Sequence, residues 1–323
     1  MTDRELDAFT PSDWGLLIGL ALIWGSSFLF IAIGLDHFTP AQIAFLRISL
    51  GTAALALVPA SRRGVRRRDW GRVALLGLLW MGIPFLLFPI AQQWIDSSLA
   101  GMLNGGVPLW AALVATLVAR RLPPSGVLWG LGAGFAGILL ISLPTLDTDG
   151  STALGVGLVV VATVLYGISL NIAVPLQRRY GSLAVMLRAQ AVAAVFTLPF
   201  AVAGVSETTF GWGAVAAVAA LGILGTGLAL AMMATLAGRV GAARGSIAIY
   251  LVPIVAIALG AIVRNELVSS VALLGTGLVI FGAWLTSRSQ RAAVQPAGEV
   301  APSTTIDLAA SEPSADPAAG ANA

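Results

Sequence analysis

From its first residues onward the chain alternates long apolar runs with short polar connections. Ten runs stand out: Trp14–Leu35, Pro40–Pro59, Arg72–Gln92, Ser98–Val118, Ser125–Leu143, Leu154–Val174, Leu183–Gly204, Trp212–Ala234, Ile247–Val263 and Ser270–Ser287. A hydrocarbon layer about 30 Å thick takes roughly 20 residues of helix, and each run is close to that length. Lipid offers no partner to a free amide or carbonyl, so each run is predicted to cross as a helix that satisfies its own backbone. Connections such as Arg121-Leu122-Pro123-Pro124 and Asp147-Thr148-Asp149-Gly150 carry turn residues. The pattern predicts an all-α polytopic membrane protein with ten transmembrane helices. Residues 1–13 and 288–323 are its tails, and the second, rich in Ala, Pro, Ser and acid, is expected to be disordered.

Composition narrows the function classes. The 323 residues are 58% apolar and 10% charged, against about 25% charged in a soluble domain, and mean hydropathy is +0.91. Without Cys there is no thiolate, disulfide or Cys-ligated metal, and the single His37 cannot build a multi-His centre. All 18 basic residues are Arg, so no Lys is present for a Walker A loop. No cofactor is expected. The pI near 10.1 does not point to nucleic acid, because the arginines fall between apolar runs, where topology accounts for them. With a cytoplasmic N-terminus, fifteen of the 18 lie on the cytoplasmic side: Arg4, Arg62, Arg63, Arg66, Arg67, Arg68, Arg72, Arg120, Arg121, Arg178, Arg179, Arg239, Arg244, Arg288 and Arg291. Arg264 lies outside, and Arg47 and Arg188 lie inside helices 2 and 7. The outer connections carry acids instead: Asp36, Asp96, Asp147, Asp149, Glu207 and Glu266. Both termini are therefore expected in the cytoplasm, and MTDREL is unlike the basic start of a signal peptide.

The two halves repeat each other. At an offset of 145, Val107-Pro108 matches Val252-Pro253, and without a gap Ala111, Val118, Leu122, Ser125, Gly130, Gly132, Gly137 and Ser142 match Ala256, Val263, Leu267, Ser270, Gly275, Gly277, Gly282 and Ser287. Leu46-Arg47 matches Leu187-Arg188, and Trp24-Gly25 matches Tyr166-Gly167. Five helices per repeat is odd, so residues 154–287 must be inverted in the membrane relative to residues 14–143. That is an architecture of secondary transporters, whose substrate sites lie near the midplane between repeats. Arg121 and its counterpart Glu266 carry opposite charges on opposite faces.

Two inverted five-helix repeats, Trp24-Gly25-Ser26-Ser27 in helix 1 and Leu46-Arg47 in helix 2 resemble the EamA family of the drug/metabolite transporter superfamily. Each family repeat closes with Pro, an apolar helix, Glu and a Gly-bearing helix. Pro253, Glu266, Gly275 and Gly282 fit that pattern. Pro108, Gly130 and Gly137 fit it too, but Arg121 stands where the family usually has Glu. The resemblance spans residues 14–287 and implies export of amino acids, related metabolites or drugs across the bacterial inner membrane.

The candidate substrate-binding residues are Trp24, Ser26, Ser27, Arg47, Asn104, Tyr166, Asn171, Arg188 and Tyr250. A charge inside a membrane helix is costly and faces protein or a watery cavity. A guanidinium there matches a carboxylate bidentately; the competing role for Arg47 and Arg188 is snorkelling or bonding to carbonyls. Trp24-Gly25-Ser26-Ser27 is either a cavity wall or a close-packing surface. Pro108 removes a donor and so frees carbonyls near Asn104, and Tyr250 sits one residue past the counterpart of Asn104. Tyr166, Asn171, Trp80, Gln92 and Gln190 are polar or aromatic groups in apolar helices that need partners. Gly132-Ala133-Gly134-Phe135-Ala136-Gly137 fits G-x-G-x-x-G, but it lies inside an apolar helix rather than after a strand, so it reads as packing surface. Gly222, Gly225 and Gly227 in helix 8 read as packing or a hinge.

No Asp or Glu falls well inside a helix, which argues against proton antiport of cations and leaves facilitated diffusion, exchange or coupling through substrate charge. The expected function is a secondary transporter exporting amino acids or related small metabolites by alternating access, around a site made by helices 1, 2, 4, 6, 7 and 9. A lipid flippase or scramblase and a multidrug exporter are the alternatives. An enzyme is not expected, since no nucleophile, base and metal groups cluster. The expected partners are a small-molecule substrate and the lipid bilayer, with no nucleic acid and the oligomeric state open.

Overall fold

The computed structural model describes residues 9–145 and 150–294; Arg4, Asp147, Asp149 and residues 295–323 lie outside the described residues. The chain forms helices α1 (Pro11–Leu35), α2 (Pro40–Ala56), α3 (Arg67–Ala91), α4 (Ser97–Ala119) and α5 (Ser125–Ser142). These are followed by α6 (Gly150–Tyr180), α7 (Ser182–Ala203), α8 (Trp212–Val240), α9 (Ile247–Arg264) and α10 (Ser270–Val294). All but α2 are long and apolar enough to span a membrane, and α2 is a shorter apolar helix of 17 residues. No strand occurs among the described residues.

Local chemistry sets the ends. α1 and α2 both open with Thr-Pro: Thr10 and Thr39 cap with their side chains, Asp13 and Gln42 close the capping boxes, and Pro11 and Pro40 take the first helical position. α1 therefore starts ahead of the apolar run at Trp14. α6 outlasts its apolar run and ends in Arg178 and Arg179, whose charge suits a helix C-terminus. α10 continues through Val294, so residues 288–294 extend the helix rather than begin the tail. Gly181 alone links α6 to α7 at φ 86, a conformation that a side chain would strain.

Packing follows the repeat. α5 lies against α10 and α2 against α7, each helix meeting its own counterpart. α1 on α9 mirrors α6 on α4, α2 on α8 mirrors α7 on α3, and α1 on α8 mirrors α6 on α3. This is the contact pattern of a pseudo-two-fold axis relating inverted repeats. The α5–α10 crossing is the tightest expression of it. A Cβ on Gly130 would stand 2.7 Å from the Gly282 carbonyl, and one on Gly137 would stand 2.5 Å from that of Gly275. The reciprocal contacts, Gly282 to Gly130 and Gly275 to Gly137, are equally close at 2.5 and 2.7 Å. The four glycines are two repeat-related pairs, so the helices touch backbone to backbone. Gly134 and Gly137 of the G-x-G-x-x-G run lie in this crossing, whereas Gly132 faces open space.

Two π-helical segments interrupt α3 and α8, at Leu78–Gly82 and Ile223–Leu228. Their starts are related by the same offset of 145, as are Gly77 and Gly222 before them and Gly82 and Gly227 within them. Such segments are rare and concentrate at functional sites. The fourth helix of each repeat also ends alike, in a left-handed residue: Arg120 at φ 50 and its counterpart Asn265 at φ 54. The residues that follow are Arg121 and Glu266.

Candidate substrate-binding site

Arg47 projects from the middle of α2 into the protein interior and is 8% exposed. Its Nε donates to Thr226 Oγ1 at 3.0 Å, and Thr226 Oγ1 donates to the Leu221 carbonyl at 3.2 Å. That five-residue reach is a product of the π segment in α8. The Arg47 guanidinium carbon lies 3.8 Å from the centre of the Phe85 ring. Tyr166 of α6 packs against the core cluster that contains Phe85. Beyond Nε, the guanidinium makes no hydrogen bond or ion pair among the described residues.

The energetics of this arrangement are unbalanced. An arginine at the centre of a membrane helix costs about 2.5–3.5 kcal/mol on insertion scales. A desolvated cation–π contact returns about 2 kcal/mol, and the Thr226 hydroxyl engages one of five N–H donors. Arg47 is thus tolerable when empty but still lacks a counter-charge.

Aromatic rings stack across the helices that pack around α2. Phe28 of α1 packs on Phe88 of α3 at 5.6 Å, and Phe88 on Tyr166 at 5.8 Å between ring centres. Trp24 Nε1 donates to the Gly225 carbonyl at 3.2 Å, again within the π segment. Ser26 and Ser27 both return their hydroxyls to the Ile23 carbonyl, at 3.0 and 3.1 Å, and Ser27 packs against Gly225.

The structure therefore brings Trp24, Ser27, Arg47 and Tyr166 toward one region, bounded by α1, α2, α3, α6 and α8. The expected set of helices changes: α8 enters through its π segment and α3 through the residues just past its own, and Phe85, Phe88, Gly225 and Thr226 join the candidates. The hydroxyl of Thr226 among the glycines of helix 8 was the available signal in the sequence; the role of Phe85 had none.

The other candidates are placed elsewhere. Arg188 donates to the carbonyls of Ser61 at 3.0 Å, Ala184 at 2.9 Å and Arg62 at 3.4 Å, binding the α2–α3 connection. Asn171 donates to the Ala111 and Gly167 carbonyls at 3.0 and 2.9 Å, pinning α6 to α4. The Tyr250 hydroxyl meets Ser287 Oγ at 2.7 Å and ties α9 to α10. Asn104 stands where α4 breaks between Asn104 and Val107.

The Glu266 end of the molecule is clasped across the repeats. Glu266 accepts from Ser97 N at 3.0 Å, Ser97 Oγ at 2.7 Å and Ser98 N at 2.8 Å, closing the N-terminus of α4. Gly260 leaves the notch in which the carboxylate sits. Beside it Arg264 pairs bidentately with Asp36 at 3.0 and 3.1 Å, joining α9 to α1. At the symmetry-related end Arg121, the counterpart of Glu266, is exposed, and Ala115 stands at the counterpart position of Gly260.

Burial opposes ionisation of Glu266, but the Ser97 and Ser98 donors outweigh it and hold the carboxyl below its ordinary 4.5. Burial and then the Glu266 charge push neighbouring Asp96 up. The lowered Glu266 value means that its stabilisation is complete above pH 4.5 and is lost as pH falls below it. We expect Glu266→Gln to unfold at lower temperature than the parent at neutral pH, at a cost of about 1–2 kcal/mol for a helix cap. The gap should close on acidification below about pH 4.5; a gap independent of pH would count against the clasp.

Residues 14–143 and 153–288 match the model of the EamA-like transporter family. The chain belongs to that family. The EamA match covers both repeats. A "Probable terminal-alkyne amino-acid exporter" of Streptantibioticus cattleyicolor is 27% identical over 85% of this chain and 93% of its own. An "Uncharacterized transporter" of Archaeoglobus fulgidus is 21% identical over 86% and 99% of the two chains. The "Uncharacterized inner membrane transporter YedA" of Escherichia coli K12 is 25% identical over 85% and 90%. A solved crystal structure shares the fold with a TM-score of 0.60 at 18% identity, over 88% of this chain and 99% of that one. The chain is thus a multi-pass membrane transporter of the EamA type, and a transporter of this family takes a small-molecule substrate.

Proposed function

We propose that the protein carries small carboxylate-bearing metabolites, amino acids first among them, out of the cell by alternating access of its two repeats. The observation that supports this reading is Arg47: a buried guanidinium, shelved on Phe85 and held at Nε by Thr226, with its terminal nitrogens free. Those nitrogens match a carboxylate in bidentate geometry. Trp24 and Tyr166 supply aromatic surface for the rest of the substrate, with Phe88 packed behind Tyr166. The relative named as an amino-acid exporter agrees with that chemistry. The one-sided distribution of arginines supports cytoplasmic termini, and the relative named for the inner membrane supports that location.

The test is thermal stabilisation of the purified protein by amino acids, organic acids, nucleosides and cationic drugs, since a ligand that binds only the folded form raises apparent stability. Carboxylates should stabilise it. Stabilisation by cations or lipids alone would overturn the reading. Thr226 acts as a positioning residue. Thr226→Val should weaken carboxylate binding by about ten- to 150-fold, in line with about 1.5–3 kcal/mol for a hydrogen bond to a charged group. Thr226→Ser should restore it; equal affinity in parent and Thr226→Val would remove Thr226 from the site.

A further inference from the structure

Six of the 18 arginines fall between positions 62 and 72, in the connection from α2 and the first turns of α3. This connection is not a loose loop. It makes two 3-10 turns, Pro59–Arg62 and Arg67–Asp69. Ser61 Oγ donates to the Leu55 and Val58 carbonyls at 2.8 and 2.7 Å, and Arg62 Nε to Ala56 at 2.8 Å. Arg188 of α7 holds the Ser61 and Arg62 carbonyls. Asp69 pairs with Arg179 at 3.2 Å and accepts from the Tyr180 hydroxyl, both at the end of α6. The one acid in the connection is therefore occupied. Arg63, Arg66, Arg67 and Arg72 are exposed, and their side chains make no hydrogen bond or ion pair among the described residues.

Two further observations fix the depth of these arginines. The 17 residues of α2 reach only about 26 Å at about 1.5 Å per residue, short of a hydrocarbon layer about 30 Å thick. A short span draws its flanking residues toward the layer, or thins the layer to meet them. Exposed Leu57 and Trp70 bracket the basic turn, and Trp is the side chain that favours the boundary between headgroups and acyl chains. A site for a soluble anion would need neither feature.

We propose that the α2–α3 connection binds the phosphate headgroups of anionic phospholipids. Arg63, Arg66, Arg67 and Arg72 supply the donors, and Trp70 and Leu57 rest at the acyl boundary. Because Arg188, Arg179 and Tyr180 grip the same connection, bound lipid braces α6 and α7 of the second repeat as well as α2 and α3.

The test uses the full chain in a neutral detergent, titrated with phosphatidylglycerol, phosphatidylcholine or inorganic phosphate, with thermal unfolding and native mass spectrometry as readouts. Phosphatidylglycerol should stabilise the parent and remain bound, and the effect should fade with added salt. A juxtamembrane basic residue is worth about fivefold in affinity for an anionic surface. The quadruple variant R63Q/R66Q/R67Q/R72Q should therefore lose up to a few hundred-fold, while R120Q/R121Q binds as the parent does. Equal stabilisation by phosphatidylcholine, reproduction of the effect by inorganic phosphate alone, or unchanged binding by the quadruple variant would each overturn the proposal. A photo-crosslinkable phosphatidylglycerol on the parent keeps the test independent of how that variant folds: labelling of residues 57–72 supports the site, and labelling confined to other segments overturns it.

Discussion

Arg47→Ala should abolish saturable transport of carboxylate substrates while leaving the empty protein folded. Removing one partner of a buried, hydrogen-bonded charge pair costs about 2–5 kcal/mol of binding, which is about thirty-fold to several-thousand-fold in affinity. The empty protein is expected to tolerate the change because it loses an unpaired buried charge together with its packing on Phe85. Arg47→Lys should fall between parent and Arg47→Ala: the ammonium keeps the charge but forfeits the planar fork that spans Thr226 and a carboxylate together. Flux into proteoliposomes and ligand-induced thermal shifts check this series. Carboxylates that stabilise Arg47→Ala as well as the parent would make the arginine structural.

The second large effect is expected at the α5–α10 crossing. Gly137→Val sets a branched side chain where a Cβ alone would stand 2.5 Å from the Gly275 carbonyl. Overpacking a yielding core costs about 1–3 kcal/mol. Here the obstacle is backbone, so the two helices must separate along the contact that joins the repeats. The variant should fail to accumulate in the membrane or should unfold at much lower temperature. Gly132→Val, five residues away on the open face of the same helix, should behave as the parent. Similar thermal unfolding of the two variants would contradict the backbone-to-backbone crossing.

Much of this fold is written in the chain as length and repetition. The apolar runs mark nine full spans and the shorter α2, and the offset of 145 pairs Gly130 with Gly275 and Gly137 with Gly282 before any contact is seen. Arg47 stands out because it is the one charged residue in helix 2. The remainder depends on which surfaces meet. Arg188 carries the same sequence signal as Arg47, yet its donors go to Ser61, Ala184 and Arg62, carbonyls that only the folded connection brings within reach. Asn171 and Tyr250 likewise are told apart from pocket residues by neighbours more than thirty positions away. The π segments keep the apolar pattern of ordinary helix, so hydropathy does not reveal them. Thr226 is a lone hydroxyl until the widened turn presents it to Arg47.

Under the proposed alternating access, the Glu266 clasp would make the two ends of a nearly symmetric carrier unequal in energy. Perfect repeats would leave the empty protein divided evenly between its two orientations. A capping interaction worth about 1–2 kcal/mol at the Glu266 end, where exposed Arg121 stands at the counterpart position, would tip that balance by roughly five- to thirty-fold. The empty transporter would then rest with the Glu266 end shut and collect cargo from the Arg121 side. Ligand arriving from the Glu266 side would find few molecules ready for it, and its apparent affinity would be weaker by the same factor.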